Sequence, residues 1–165
     1  MSLSFKIIPS PIGRLRLVAS NAGLAAILWD NDRPRPIHLA DLVESPADST
    51  LRCAEKELNE YFGRKRRTFS VPLDMRGTRF QKLVWETLLA IPFGETRSYG
   101  QIANQLGNPK AARAVGAANG QNPIPIIVPC HRVIGANGKL TGFGGGLEMK
   151  DKLLALEGIG RTLFW

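Results

Sequence analysis

The sequence predicts an α/β N-terminal unit, a small antiparallel sheet plus a helix, followed by a mostly helical C-terminal domain that contains a helix-turn-helix. Three observations carry this. Short β-prone segments punctuated by turn residues open the chain. Apolar residues at helical spacing follow them. A capping pattern and a Gly-Asn-Pro break then place two short helices back to back.

The opening segments are LSFKIIPS, RLRLVAS and LAAILWD, separated by Pro-Ile-Gly and Asn-Ala-Gly. The first two read as a hairpin, with the third beside them. Residues Asn31 to Pro46 contain Pro34, Pro36 and Pro46 and read as a loop. Leu51, Ala54, Leu58, Tyr61 and Phe62 then keep a helical period. SVPLDMRGT reads as a connection. This gives a small α/β domain over 1–70, a linker over 71–76 and a second domain over 77–165.

In that second domain, Phe80, Leu83, Val84, Leu88 and Ile91 mark an amphipathic helix that stops at Pro92. In SYGQ, Ser98 is an N-cap and Gln101 reaches back to it. The helix YGQIANQL stops at Gly107, a good left-handed terminator. Asn108 and Pro109 fit the N-cap and first-turn positions of the next helix, KAARAVGAANG. LEMKDKLLALEG forms a last helix, and no internal repeat is present.

With 165 residues the chain is long enough to bury a real core, and its apolar content is ordinary for a soluble globular protein. No apolar run approaches the ~20 residues that span a bilayer. The opening residues lack a secretory pattern, so a cytoplasmic protein is expected, nuclear in a eukaryote. Cys53 and Cys130 permit one disulfide, but the class reads as intracellular and reduced. The net charge of +8 favours a polyanionic partner, a nucleic acid or an anionic surface. The densest basic run, Gly63 to Thr68, reads as a solvated surface, with a phosphate contact or a nuclear address as the other readings.

A helix that reads base edges in the major groove presents long polar side chains on one face. KAARAVGAANG instead offers Ala111, Ala112, Ala114, Gly116, Ala117, Ala118 and Gly120, with Arg113 as the long cation in its middle. Small residues permit close approach, and the minor groove is only ~6 Å wide. Two readings stay open. Either the helix docks in a minor groove with Arg113 wedged into the base stack, or its alanines pack a core and Arg113 is a surface charge.

Cys130 stands between Pro129 and His131, at the end of the run NPIPIIVPC. A lone cysteine is usually a small buried hydrophobe. Here His131 and Arg132 follow it, and nearby cations stabilise the thiolate that acts as a nucleophile. In an extended strand, neighbouring side chains point to opposite faces, so adjacency does not establish contact. In the nucleophilic reading a water relays a proton between Cys130 and His131. The imidazole then needs an acid to fix its tautomer, and Glu157 on the last helix is a candidate. Pro123, Pro125 and Pro129 stiffen the approach and remove backbone donors.

GETRSYGQIA, NPKAARAVGAANGQNPIPIIVPC, PCHRVIG and GFGGGL together resemble the O6-alkylguanine-DNA alkyltransferase family over about residues 77 to 158. The first half resembles it only in its strands followed by a helix. The resemblance implies a winged-helix-like helix-turn-helix that binds double-stranded DNA containing alkylated guanine through the minor groove. It implies flipping of the damaged base and irreversible, single-turnover transfer of the alkyl group from guanine O6, and in some cases thymine O4, to Cys130. It implies a monomer with no cofactor, with cooperative binding on DNA left open.

By the same resemblance His131 takes the thiol proton through a water, and Glu157 orients His131. Asn122 bridges the helix-turn-helix to the active-site segment. Tyr99 helps rotate the nucleotide and donates a hydrogen bond to the leaving guanine, while Arg113 fills the vacated stack. Asn108, Gln81, Ala114, Gly116 and Ala117 are DNA-binding positions. Pro125, Val133, Phe143, Gly144 and Gly145 line the base pocket.

Physical chemistry is consistent with this scheme. A base inside a duplex cannot be attacked at O6, and flipping it costs a few kcal/mol. The thioether product has no carbonyl for water to attack, so each molecule reacts once. Two departures stand out: many family members carry a tyrosine at Phe143 and a serine or alanine at Gly144. Some relatives hold zinc in the N-terminal half, where this chain offers only His38 and Cys53, so no metal is expected. Two rival functions are a non-enzymatic binder of damaged DNA, against which Cys130 argues, and an unrelated cysteine hydrolase, which a Cys-His pair permits.

Overall fold

Strands β1 (Leu3–Ile8), β2 (Leu15–Ser20) and β3 (Gly23–Trp29) follow one another through tight turns and pair antiparallel, Ile8 opposite Leu15 and Leu15 opposite Trp29. All of β3 is buried, which is why it reads as an unbroken apolar run and not as an alternating one. The structure, a computed structural model, describes residues 3–29, 42–136 and 146–159. The chain divides into two compact units, Met1–Arg76 and Gly77–Trp165.

A fourth strand, β4 (Leu42–Glu44), lies parallel to β1 with Leu42 opposite Leu3. The sheet order is β3-β2-β1-β4, so the sheet is mixed and not purely antiparallel as expected. Part of the segment expected as a loop is therefore strand. Three residues are too few to show a period of two, and Pro36 and Pro46 on either side read as breakers. His38 lies outside the described residues.

Helix α1 (Ser49–Phe62) starts at Asp48, whose carboxylate accepts from the Leu51 N–H at 3.0 Å. It buries Leu51, Ala54, Leu58 and Tyr61. It also buries Glu57, whose carboxylate accepts from the backbone N–H groups of Ser70 and Val71. In the basic run, Arg66 pairs with Glu60 at 2.9 Å and Glu57 at 3.4 Å, while Arg64 and Lys65 are exposed. Over 71–76, Leu73 bridges Leu24, and the Asp74 N–H donates to Leu24 O.

In the second unit, helix α2 (Arg79–Leu89) opens with a capping box between Thr78 and Gln81. It buries Val84, Trp85 and Leu88, whereas Leu83 of the expected apolar face is 45% exposed. The indole decides the rotation of the helix: Trp85 Nε1–H donates to Ala118 O at 2.9 Å. Gly77 lies under the same ring, and a Cβ there would sit 2.5 Å from Trp85 Cη2. A short strand, β5 (Arg97–Ser98), pairs parallel with β6 (Val133–Ile134).

Helix α3 (Tyr99–Gln105) carries the expected Ser98–Gln101 capping box, and Gly107 has φ +80°. The next element differs in one respect. Asn108 makes no capping hydrogen bond, and Pro109–Ala111 forms a 3₁₀ turn before helix α4 (Ala112–Gly120) begins. Helix α5 (Leu147–Leu156) closes the unit and buries Lys150, Leu153 and Leu154. Among the described residues no helix is long and apolar enough to cross a membrane.

Candidate active site

Helix α4 turns a distinct face to solvent. Val115, Ala118 and Asn119 are buried, while Arg113, Ala114 and Ala117 are exposed together. The core thus takes only part of the alanine content, and a smooth, small-residue surface with one guanidinium remains outside. Gly116 is half-buried against Tyr99: a Cβ there would meet the tyrosine ring at 3.7 Å. Tyr99, half-buried at the start of α3, therefore stands directly beside α4. Asn108 is exposed. Gln81 is engaged at both ends of its amide, accepting from the Thr78 N–H and donating to Gln121 at 2.7 Å.

After α4 the chain runs inward. Pro123 to Val128 is entirely buried, Pro125 included. Asn122 folds this segment back on itself: its Oδ1 accepts from the Ile124 N–H at 3.0 Å, and its Nδ2 donates to Val128 O at 2.8 Å. Ile126 has φ +76°, a left-handed conformation that is a genuine outlier for a β-branched residue. Such strain costs about 1–3 kcal/mol and persists only where packing over-determines it. Nothing in the residue types foreshadows it.

Cys130, His131 and Arg132 form a 3₁₀ turn and not a strand, so the three neighbours share one buried environment. Cys130 is 4% exposed and His131 is fully buried. Burial pushes the Cys130 thiol up from 9.0 to about 11, although the Asn122 amide and Lys150 favour the anion. The expected activation of the thiolate by the adjacent arginine is not what the geometry provides, because Arg132 points at Glu157.

Glu157 caps the end of α5 and is 5% exposed. Burial alone would raise its pKa, but hydrogen bonds from His131 and Arg132 overcome that and hold the carboxyl well below the usual range. An ionised carboxylate only accepts, so at the 2.7 Å contact between His131 Nε2 and Glu157 Oε2 the imidazole is the donor. His131 Nδ1 is buried and bonded to no protein atom among the described residues. Burial, aided by the charges of Arg132 and Lys150, holds His131 below 6.5 against the pull of Glu157. The ring is thus neutral at pH 7, protonated on Nε2, with the lone pair on Nδ1.

Two residues of this site, Lys150 and Asn119, were missed at the sequence level, and Arg132 was read as a partner of the thiolate. Arg132 clamps Glu157. Fully buried Lys150 donates from Nζ to Val133 O at 2.6 Å, and burial lowers its pKa to about 8. Asn119 on α4 reaches Cys130 O at 3.4 Å. Lys150 was legible only as one more charge on the last helix; its burial is a tertiary fact. Val133 is buried beside the cysteine turn. Phe143, Gly144 and Gly145 lie outside the described residues. Among the described residues no group of three or more His, Cys, Asp or Glu is placed to hold a metal ion.

A helix-turn-helix joined to a buried Cys-His-Glu arrangement defines a class of DNA-directed cysteine proteins, and comparison with known proteins gives the family. Residues 79–159 match 6-O-methylguanine DNA methyltransferase, DNA binding domain. Residues 3–75 match 6-O-methylguanine DNA methyltransferase, ribonuclease-like domain. Methylated-DNA--protein-cysteine methyltransferase of Mycobacterium bovis is 51% identical over 94% of this chain and 92% of its own. That of Methanosarcina acetivorans is 50% identical over 93% of this chain and 97% of its own. The crystal structure of Mycobacterium tuberculosis OGT in complex with DNA superimposes with a TM-score of 0.85 at 51% identity, covering 93% of this chain and 92% of that one. The chain belongs to the 6-O-methylguanine DNA methyltransferase family.

Proposed function

We propose that this protein repairs DNA by taking an alkyl group from O6 of guanine onto Cys130. The observation that carries the reading is the His131–Glu157 contact: it holds the Nε2 proton and leaves Nδ1 as the base of a buried site that begins at a cysteine. The names of the relatives support methyl transfer from DNA to a protein cysteine, and the DNA complex of one of them supports DNA as the partner.

The Sγ–C bond forms as the C–O6 bond breaks, and that electron pair leaves on guanine. The thiol proton passes through a water to His131 Nδ1, and the guanine anion, still part of the DNA, takes up a proton that the Tyr99 hydroxyl donates and the His131 imidazolium replaces through water. A general base matters because a thiol with a pKa of about 11 is almost wholly protonated at pH 7. Tyr99, beside α4, donates a hydrogen bond to the leaving guanine, where negative charge grows in the transition state.

The exposed face of Arg113, Ala114 and Ala117 docks in the minor groove, with Gly116 allowing Tyr99 to approach the rotating nucleotide. Arg113 fills the gap left by the flipped base. Asn108 and Gln81 lie toward the phosphate backbone. Pro125 and Val133 form part of the base pocket. Residues 77–165 carry binding and chemistry, joined through 71–76 to the 1–70 domain, in a cytoplasmic monomer.

Incubation with duplex DNA containing O6-methylguanine, followed by peptide mass spectrometry, tests this. One added methyl on the Cys130 peptide, at one equivalent per chain, is expected. No modification would favour a binder of damaged DNA, and turnover beyond one equivalent would favour a hydrolase.

A further inference from the structure

Arg132 is 6% exposed, and all three of its nitrogens donate. Nε reaches Glu157 Oε1 at 2.8 Å, Nη2 reaches Oε2 at 3.0 Å, and Nη1 reaches Ile91 O at 2.7 Å. The guanidinium also lies over the Phe93 ring, 5.8 Å from its centroid. Glu157 in turn accepts from His131 Nε2 at 2.7 Å and the Gly94 N–H at 3.1 Å. These four donors match the roughly four lone-pair sites of a carboxylate. The carboxylate cannot turn from the imidazole without breaking a bond to a buried cation.

We propose that Arg132 is a positioning residue for alkyl transfer: by occupying both oxygens of Glu157 it keeps that carboxylate ionised and aimed at His131 Nε2, so that Nδ1 is the ring nitrogen left to take the thiol proton. The inference rests on the roles given above to Cys130 and His131. The charged groups facing His131 among the described residues are Arg132 beside it and Glu157 and Lys150 from α5. The Arg132 charge offsets that of Glu157. With Arg132 removed, the buried carboxylate is left with the imidazole as its nearest partner, and the ring is driven to hold a proton on both nitrogens. A doubly protonated ring has no lone pair for the thiol proton. Lysine would keep the charge but lose the fork that fills both oxygens.

The test is the pH–rate profile of transfer from methylated duplex for the wild type, Arg132→Met and Arg132→Lys, with ¹⁵N NMR of the His131 ring in the wild type. In the wild type the ring is expected to be neutral and Nε2-protonated at pH 7. For Arg132→Met the acid limb moves to higher pH, and activity recovers toward wild type in alkaline buffer. For Arg132→Lys the limb stays in place while the rate drops about tenfold at every pH, the loss of one hydrogen bond to a charged group. A folded Arg132→Met with an unmoved limb overturns the proposal. So does an imidazolium in the wild type at pH 7, or a lysine variant as fast as wild type, and neither of these needs the methionine variant to fold. Each sample is also analysed for the site of methylation. Methyl on a residue other than Cys130 defeats the functional assignment itself, whereas methyl on Cys130 with coincident profiles defeats only the role of Arg132.

Discussion

Glu157 Oε2 lies 2.7 Å from His131 Nε2, and this one contact decides which nitrogen of the ring is the acid side and which the base side. It joins the end of α5 to the turn that carries the cysteine, residues far apart in the chain. The burial of His131, against which this contact works, also makes the stability of the protein depend on pH in a defined window.

The His131 pKa is depressed below its ordinary 6.5 in the folded state. The unfolded chain therefore binds a proton first as pH falls. The stabilisation is complete above pH 6.5 and is lost progressively below it. Glu157 and Glu57 are depressed below 4.5, so their contributions are lost only at lower pH. The melting temperature of the wild type should begin to fall between pH 6.5 and 5, and that of His131→Gln should stay flat over the same window. An equal decline in both would place the titration elsewhere.

Cys130 should be a poor thiol toward small reagents in the absence of DNA. With the thiol raised to about 11, only about one molecule in a thousand is ionised at pH 8. Iodoacetamide should label Cys130 slowly there, and the rate should keep climbing toward pH 11. A plateau near pH 9 would mean that the site lowers the thiol pKa after all.

Arg113 and Tyr99 should separate binding from chemistry. Arg113 is exposed on α4, away from the buried cysteine turn. Stacking by such a side chain is worth roughly 1–3 kcal/mol, so Arg113→Ala should slow repair of duplex DNA about ten- to a hundredfold. Transfer from free benzylguanine should change little. Tyr99→Phe should slow both substrates, because it removes the donor to the leaving base. If Arg113→Ala slows both equally, the residue supports the fold or the pocket.

Gly77 precedes α2 and lies under the Trp85 ring, where a Cβ would come within 2.5 Å of Cη2 and 2.7 Å of Gln81 Oε1. Gly77→Ala must push the indole off Ala118 O or disturb the capping box. Overpacking of this kind costs about 1–3 kcal/mol. Urea denaturation should register the loss, and an unchanged midpoint would show that the ring moves freely.

The sequence by itself determined the elements whose causes are local. Ser98 and Gln101 cap α3 because a hydroxyl and an amide three residues apart satisfy each other's backbone donors. Gly107 ends it because glycine takes φ +80° without steric cost. Leu51, Ala54 and Leu58 bury one face of α1 because their spacing matches a helical turn. The motif around Cys130 was legible for the same reason: cysteine, histidine and stiffening prolines are neighbours in the chain.

Only the tertiary structure decided what depends on distance through space. The parallel pairing of β4 with β1 turns a proline-flanked triplet into a strand because a partner edge offers it hydrogen bonds. The rotation of α2 follows from where the Trp85 indole finds a carbonyl, so Leu83 faces solvent despite its position in the apolar pattern. Arg132 turns to Glu157 and not to the adjacent thiol, and Lys150 is buried. Charged side chains are read from sequence as solvated by default. Which of them a fold buries depends on the partners that neutralise them, and those partners come from other elements.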